Sequence, residues 1–158
     1  MTLTLTVIDQ SPVHGDRPAH DALNTSVELS VACDALGYFR YWLAEHHDSI
    51  QFAGTTPEIL IARIASATRD IRVSIGGVML THYSPYKVAE TFGVLGSLFP
   101  GRIDLGIGRA PGGSSLSGAA LAAPGHPERY DHFPDQAAQL CAFLRDCFPK
   151  DHPFNALI

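Results

Sequence analysis

The stretch Tyr41-Trp42-Leu43-Ala44-Glu45-His46-His47 decides the fold. A short apolar run breaks off in a carboxylate and two imidazoles, as a buried strand does when it delivers polar groups at its carboxyl end, the end where ligands sit in parallel α/β sheets. Arg102-Ile103-Asp104-Leu105-Gly106-Ile107-Gly108-Arg109 repeats the pattern and ends in glycines and an arginine. Upstream, Thr2 to Ile8 is rich in Thr, Leu, Val and Ile and is closed by Asp9, Ser11 and Pro12, which predicts a buried strand. Arg72 to Leu80 carries Val73, Ile75, Val78 and Leu80 around Gly76-Gly77. It is too short and too glycine-broken for a helix and predicts a third strand with a local distortion.

Between these strands the apolar spacing turns helical. From Asp21, the positions Leu23, Val27, Val31 and Ala35 recur every four residues and predict the inner face of a helix that Gly37 ends. Thr55-Thr56-Pro57-Glu58 offers a capping threonine, a first-turn proline and a glutamate at the positive end of a helix dipole. That helix is expected to run to about Thr68, with Leu60, Ile61, Ile64 and Ala65 inward. Ser84-Pro85 starts another, reaching about Leu98 before Pro100-Gly101 turns the chain into the fourth strand. Ala110 to Pro127 reads as a long loop, either a lid or a disordered connection. A last helix is predicted from Phe133 to about Phe148, with Phe133, Ala137, Leu140, Cys141 and Leu144 on one side. Pro149 to Ile158 has no periodic pattern.

Strict alternation of strand and helix implies an α/β fold with a parallel sheet and helices outside, either an open doubly wound sheet or an arc of a barrel. An open dinucleotide-binding sheet would carry its glycine fingerprint after the first strand, where Gln10-Ser11-Pro12-Val13 stands. The later Gly106-x-Gly108 fails as well, because Pro111 occupies the place of the third glycine.

With 158 residues, 46% of them hydrophobic, one domain with a real core is expected. The formal charge of -5 and eleven scattered Lys and Arg leave no basic stripe for nucleic acid. No stretch approaches the roughly 20 apolar residues needed to cross a bilayer. Three cysteines without zinc-type spacing fit reduced thiols, Cys33 as part of the core, so a cytoplasmic protein is expected. A metal at Glu45, His46 and His47 is disfavoured, since adjacent ligands seldom converge and no other His or Cys cluster has ligand spacing.

Trp42-Leu43-Ala44-Glu45-His46-His47, Gly76-Gly77-Val78-Met79-Leu80 and Pro100-Gly101-Arg102-Ile103-Asp104-Leu105-Gly106-Ile107-Gly108-Arg109-Ala110-Pro111-Gly112 follow one another with the order and spacing of the bacterial luciferase-like flavin monooxygenases. The chain resembles that family from Leu3 to about Pro153. The resemblance implies a (β/α)8 barrel of TIM type that binds reduced FMN, or in some relatives a deazaflavin coenzyme, at the carboxyl ends of the strands. It implies an oxidoreductase that uses reduced flavin and oxygen on a small organic substrate, with a separate reductase as partner. Such barrels need roughly 250 residues for eight units, and about four units are legible here. Residues 1–150 are therefore expected to be the N-terminal half of a longer enzyme, with 151–158 a truncated tail. A four-stranded arc leaves both sheet edges unpaired, so self-association into a homo-oligomer, or a non-catalytic flavin-binding remnant, is the alternative.

The resemblance also assigns residues. His46 stands beside the flavin as a base or hydrogen-bond partner, the alternative being a structural histidine bonded to Glu45 or to backbone. Only one of His46 and His47 is expected to face the pocket, because neighbours on an extended segment point to opposite faces. His47, with Gln10 and Ser11, is placed on the substrate side. Gly76 and Gly77 would admit a flat ring close to the backbone, and in the family a non-proline cis peptide lies there; an ordinary bulge is the alternative. Gly106 and Gly108 would give the cofactor room. Arg109 would meet the flavin phosphate with a guanidinium fork, or be a surface arginine paired with a nearby acid.

Overall fold

The computed structural model describes residues 3–121 and 129–157, the backbone alone at 129 and 130. Four strands, β1 (Thr6–Asp9), β2 (Arg40–Leu43), β3 (Arg72–Met79) and β4 (Ile103–Gly108), form one sheet in the order β1-β2-β3-β4. All neighbours pair in parallel. Helices α1 (Ala19–Ala35), α2 (Pro57–Ala67) and α3 (Pro85–Leu98) connect successive strands. After β4 come α4 (Ser115–Leu121) and α5 (Phe133–Arg145).

One face of the sheet is covered and the other is open. Tyr41, Leu43, Val73 and Ile75 are buried in a core with Leu60, Ile61, Ile64, Val88, Phe92 and Leu95 from the helices. The alternate strand residues Arg40, Trp42, Arg72 and Asp104 stay partly exposed, as the two-residue period of a strand requires when only one side is covered. The sequence predicts the first strand to be buried, yet β1 has Ile8 65% exposed. Its side chain points to the open face, and among the described strands β1 has a neighbour on one edge only.

Helix α2 follows its predicted inner face, with Leu60, Ile61, Ile64 and Ala65 all buried. Helix α1 does not: Ala22, Ser26, Ser30 and Cys33 are buried, while Val31 is 43% exposed and Leu23 and Val27 only flank the core. The serines take interior positions because each hydroxyl has a partner, Ser26 on Ser11 Oγ at 2.9 Å and Ser30 on the Val27 carbonyl at 2.6 Å. Gly37 ends α1 as predicted, with a φ of 76° and the Tyr38 amide donating to the Cys33 carbonyl. In α5, Leu140 is buried as expected but Cys141 is exposed and Leu144 is 46% exposed. That helix packs on α3 with Phe133 and Ala137 flanking the core beside Leu140, so only the Cys141 and Leu144 part of the predicted face is not used.

The predicted long loop is corrected in part: residues 115–121 are helical, and 122–128, with the rest of the lid expectation, lie outside the described residues. The tail is also more ordered than its pattern suggests. Pro153–Ala156 forms a 3-10 turn whose Phe154 packs against Phe143, Phe148 and His152.

Arg102 ties β4 to the end of α2. Its guanidinium donates to the carbonyls of Ala65, Thr68 and Ile71, carbonyls at and beyond the helix end with no helical partner.

Candidate cofactor site

The register places the predicted site residues at one end of the sheet. Leu43 pairs with Ile75, one residue before Gly76, and Gly108 pairs with Met79. His46 and Arg109 follow directly on the same ends of β2 and β4. The β3 distortion is real: the Gly76-Gly77 peptide is cis, and the β3–β4 register shifts between Ile75 and Val78.

Glu45 is the hub that joins these ends. Its carboxylate is buried, and Oε1 accepts from the Tyr83 hydroxyl at 2.6 Å and pairs with His47 Nε2 at 2.7 Å. Oε2 accepts from the Met79 amide at 2.9 Å, fixing β3 to β2. The His47 amide donates to the Gly112 carbonyl at 2.8 Å and brings in the loop after β4. Burial, and then the bond to Glu45, pushes the Tyr83 hydroxyl pKa far up, so it stays a donor. Glu45 and His47 share a side because they stand two apart on extended chain. His46 instead stacks on Phe52 with ring centroids 4.6 Å apart, and its Nδ1 is buried with no hydrogen-bond partner among the described residues.

A second polar cluster holds the end of β1. The Tyr41 hydroxyl donates to Asp9 Oδ2 at 2.8 Å and to the Ser26 carbonyl at 3.1 Å, and Asp9 Oδ1 accepts from the Ser11 amide at 2.8 Å. Ser11 is buried with its hydroxyl on Ser26, so of the two residues after β1 only Gln10 is open to solvent.

The four glycines divide by what surrounds them. A Cβ on Gly77 would lie 2.7 Å from the Gly106 and Ile107 backbone, and one on Gly106 would lie 2.6 Å from the Ile75 carbonyl. Close packing of β3 on β4 therefore requires both. Gly76 is exposed, but a Cβ there would press on the Trp42 ring at 3.0 Å, closer than an ordinary contact. At Gly108 the nearest atom is Met79 Sδ at 3.5 Å, an ordinary contact, so packing does not account for its bare backbone. Arg109 is 62% exposed, with Asp131 3.9 Å away. The exposed Gly76, the half-buried Gly108 and the unpartnered His46 Nδ1 thus stand at the end of the sheet that Arg109 follows in sequence.

Sequence reading missed Glu45 as the organiser, together with Tyr83 and the Asp104 carboxylate, which bonds Arg40 and Arg72 on the open face. A glutamate placed two before a histidine on a strand end was a usable signal; the Tyr83 partner, 38 residues away, was not. The groove between α2 and α3 lies on the helical side, whereas the groove between α1 and α2 is lined by Ala53 and Gly54, the latter accepting from the His46 amide. Among the described residues, no cluster of three His, Cys, Asp or Glu could hold a metal, and no helix is long and apolar enough to cross a membrane.

Residues 1–145 match the family profile described as luciferase-like monooxygenase. The N-acetyl-S-alkylcysteine monooxygenase of Bacillus subtilis is 45% identical over 155 residues, covering 98% of this chain and 46% of that protein. The structure of apo-MsnO8 superposes with a TM-score of 0.88 at 44% identity, covering 99% of this chain and 46% of that one. The oxygenating constituent of 3,6-diketocamphane monooxygenase from Pseudomonas putida, a type II Baeyer–Villiger monooxygenase in complex with FMN, shares the fold with a TM-score of 0.77 at 22% identity, covering 89% and 38%. The chain thus spans about half the length of the curated relatives it matches. Its four βα units are half of a (β/α)8 barrel.

Proposed function

The chain belongs to the luciferase-like monooxygenase family, and from that premise we propose that it supplies the N-terminal half, residues 1–150, of a flavin-dependent monooxygenase. The observation that carries this reading is the bare backbone at Gly108, where a Cβ would meet only ordinary contacts, next in sequence to Arg109 and at the same sheet end as His46 and Gly76. FMN is the favoured cofactor, as in the P. putida neighbour. Reduced FMN supplies the two electrons that let one atom of oxygen enter a small organic substrate while the other leaves as water.

The protein's own residues bind, orient and move a proton. Arg109 meets the phosphate as a bidentate donor. Gly76 and Gly108 leave the ring system room, and Gly77 and Gly106 hold the strands close enough to shape that floor. His46 holds or accepts a proton at Nδ1, and Glu45, through Met79, Tyr83 and His47, keeps the ends of β2 and β3 in place. Gln10 and His47 face the substrate side, while Ser11, buried with its hydroxyl on Ser26, holds the end of β1. A separate reductase using a nicotinamide delivers the reduced flavin. The three unpaired cysteines fit a reducing, cytoplasmic setting.

The test is an FMN titration of the purified chain followed by absorbance. A saturating spectral shift at one FMN per chain is expected, and Arg109→Ala should weaken it about tenfold, the loss of one charge-assisted contact. A deazaflavin that binds more tightly than FMN would reassign the cofactor. No shift with either would favour the non-catalytic reading, in which two arcs associate without ligand.

A further inference from the structure

His82 closes the 3-10 turn Leu80–His82, which follows β3 directly at the rim that Glu45 and Tyr83 hold. Its ring stands edge-on to His47 and to Tyr83, with centroids 6.1 and 6.2 Å away. Nε2 lies 2.8 Å from the Pro111 carbonyl, across in the loop after β4. A carbonyl only accepts, so Nε2 donates, and in the neutral ring Nδ1 is left as an acceptor. That Nδ1 is buried with no hydrogen-bond partner among the described residues. A phenyl ring would make the same edge contacts without drying an unused acceptor. Among the described residues, the bond to Pro111 is therefore what an imidazole does here and a phenyl cannot.

The held carbonyl belongs to the second residue after Arg109. Gly108 pairs with Met79 at the end of β4, while Pro111 fixes its own φ and restricts Ala110 to extended backbone. Arg109 therefore lies on a short, stiff segment with one end in the sheet and the other on His82. The next carbonyl, that of Gly112, accepts from the His47 amide at 2.8 Å. Of these two bonds, only the one from His82 depends on a side chain. We infer that His82 is a positioning residue of the cofactor site, which sets where the Arg109 guanidinium meets the cofactor phosphate by holding the Pro111 carbonyl. It acts through the loop and touches neither cofactor nor substrate. The inference rests on the flavin reading of the site, although the hold on the loop does not.

Two variants separate this role from packing. His82→Phe keeps the ring contacts and loses the donor, whereas His82→Gln returns an amide N–H near the place of Nε2. In the ligand-free chain, hydrogen exchange of the His47 amide should quicken in His82→Phe and keep the parent rate in His82→Gln. The Val73 amide, bonded to the Arg102 carbonyl in the core, should be unchanged in both. FMN affinity, read by absorbance titration, should fall about three- to tenfold in His82→Phe and recover in His82→Gln. On an Arg109→Ala background, His82→Phe should cost nothing further. Riboflavin, the same ring system without the phosphate, should bind the parent and His82→Phe alike. Circular dichroism verifies folding; if His82→Phe is not folded, His82→Leu takes its place with the same expectations. Equal losses for FMN and riboflavin, losses that add to that of Arg109→Ala, or an unchanged His47 amide would each overturn the inference. A parent chain that takes up no FMN would overturn the cofactor reading instead, and the His47 exchange rates then decide the hold on the loop alone.

Discussion

At the scale of single residues, neighbouring glycines do different work. Gly106→Ala would drive a methyl to within 2.6 Å of the Ile75 carbonyl, a backbone atom that cannot swing aside. A loss of about 1–3 kcal/mol in urea unfolding is expected. Gly108→Ala meets only an ordinary contact with Met79, so its stability should stay within about 0.5 kcal/mol of the parent while FMN affinity falls. Equal stability losses in both variants would contradict that division. Asp104 gives a pH prediction. The Arg72 hydrogen bond, with Arg40 adding to it against burial, holds its carboxyl below the usual carboxylate range. A carboxyl depressed on folding contributes stability fully above its unfolded value, about pH 4, and loses it as pH falls through the folded value. The urea midpoint of the parent should therefore drop more steeply below about pH 4 than that of Asp104→Asn. His46, Arg109 and the glycines were legible because they stand inside motifs. The Glu45 bonds to Met79 and Tyr83 and the Asp104 bonds to Arg40 and Arg72 join residues more than 30 apart, which no local pattern displays.

At the scale of elements, periodicity works where the inner face is apolar and fails where it is not. Helices α2 and α3 begin at the proline starts that the sequence announces, and α3 is capped by the Ser84 hydroxyl. Helix α1 misled because its buried positions are small or hydroxylic and hydrogen-bonded, so the apolar residues fall one position aside. The β3 distortion was legible from Gly76-Gly77, although the reason for Gly77, the approach of β4, came from the other strand. Helix α3 carries two further glycines, Gly93 and Gly96, with nothing within 4 Å of a Cβ on either. Each lowers helix stability without a packing return. Gly93→Ala and Gly96→Ala should each raise stability by about 0.5–1 kcal/mol, read as a higher urea midpoint with unchanged slope. A decrease would mean that these sites pack against something in solution.

At the scale of the whole molecule, the alternation of strands and helices was enough to specify a parallel sheet, and the failed dinucleotide fingerprint pointed to a barrel arc. What alternation could not show is which side chains the open face presents, because that depends on register across four strands. The register also gathers the strand ends into one place. Glu45, Tyr83, Met79 and the Gly112 carbonyl lock three of those ends together, making a rim rigid enough to orient a cofactor. The most direct test of that rim is amide chemical-shift mapping while FMN is added to the isotope-labelled chain. Shifts should cluster at Gly76, Gly108, Arg109 and His46, leaving Ile59, Val94 and Leu98 of the groove between α2 and α3 unmoved. Shifts confined to that groove, or spread evenly over the surface, would contradict a flavin site at the carboxyl ends of the strands.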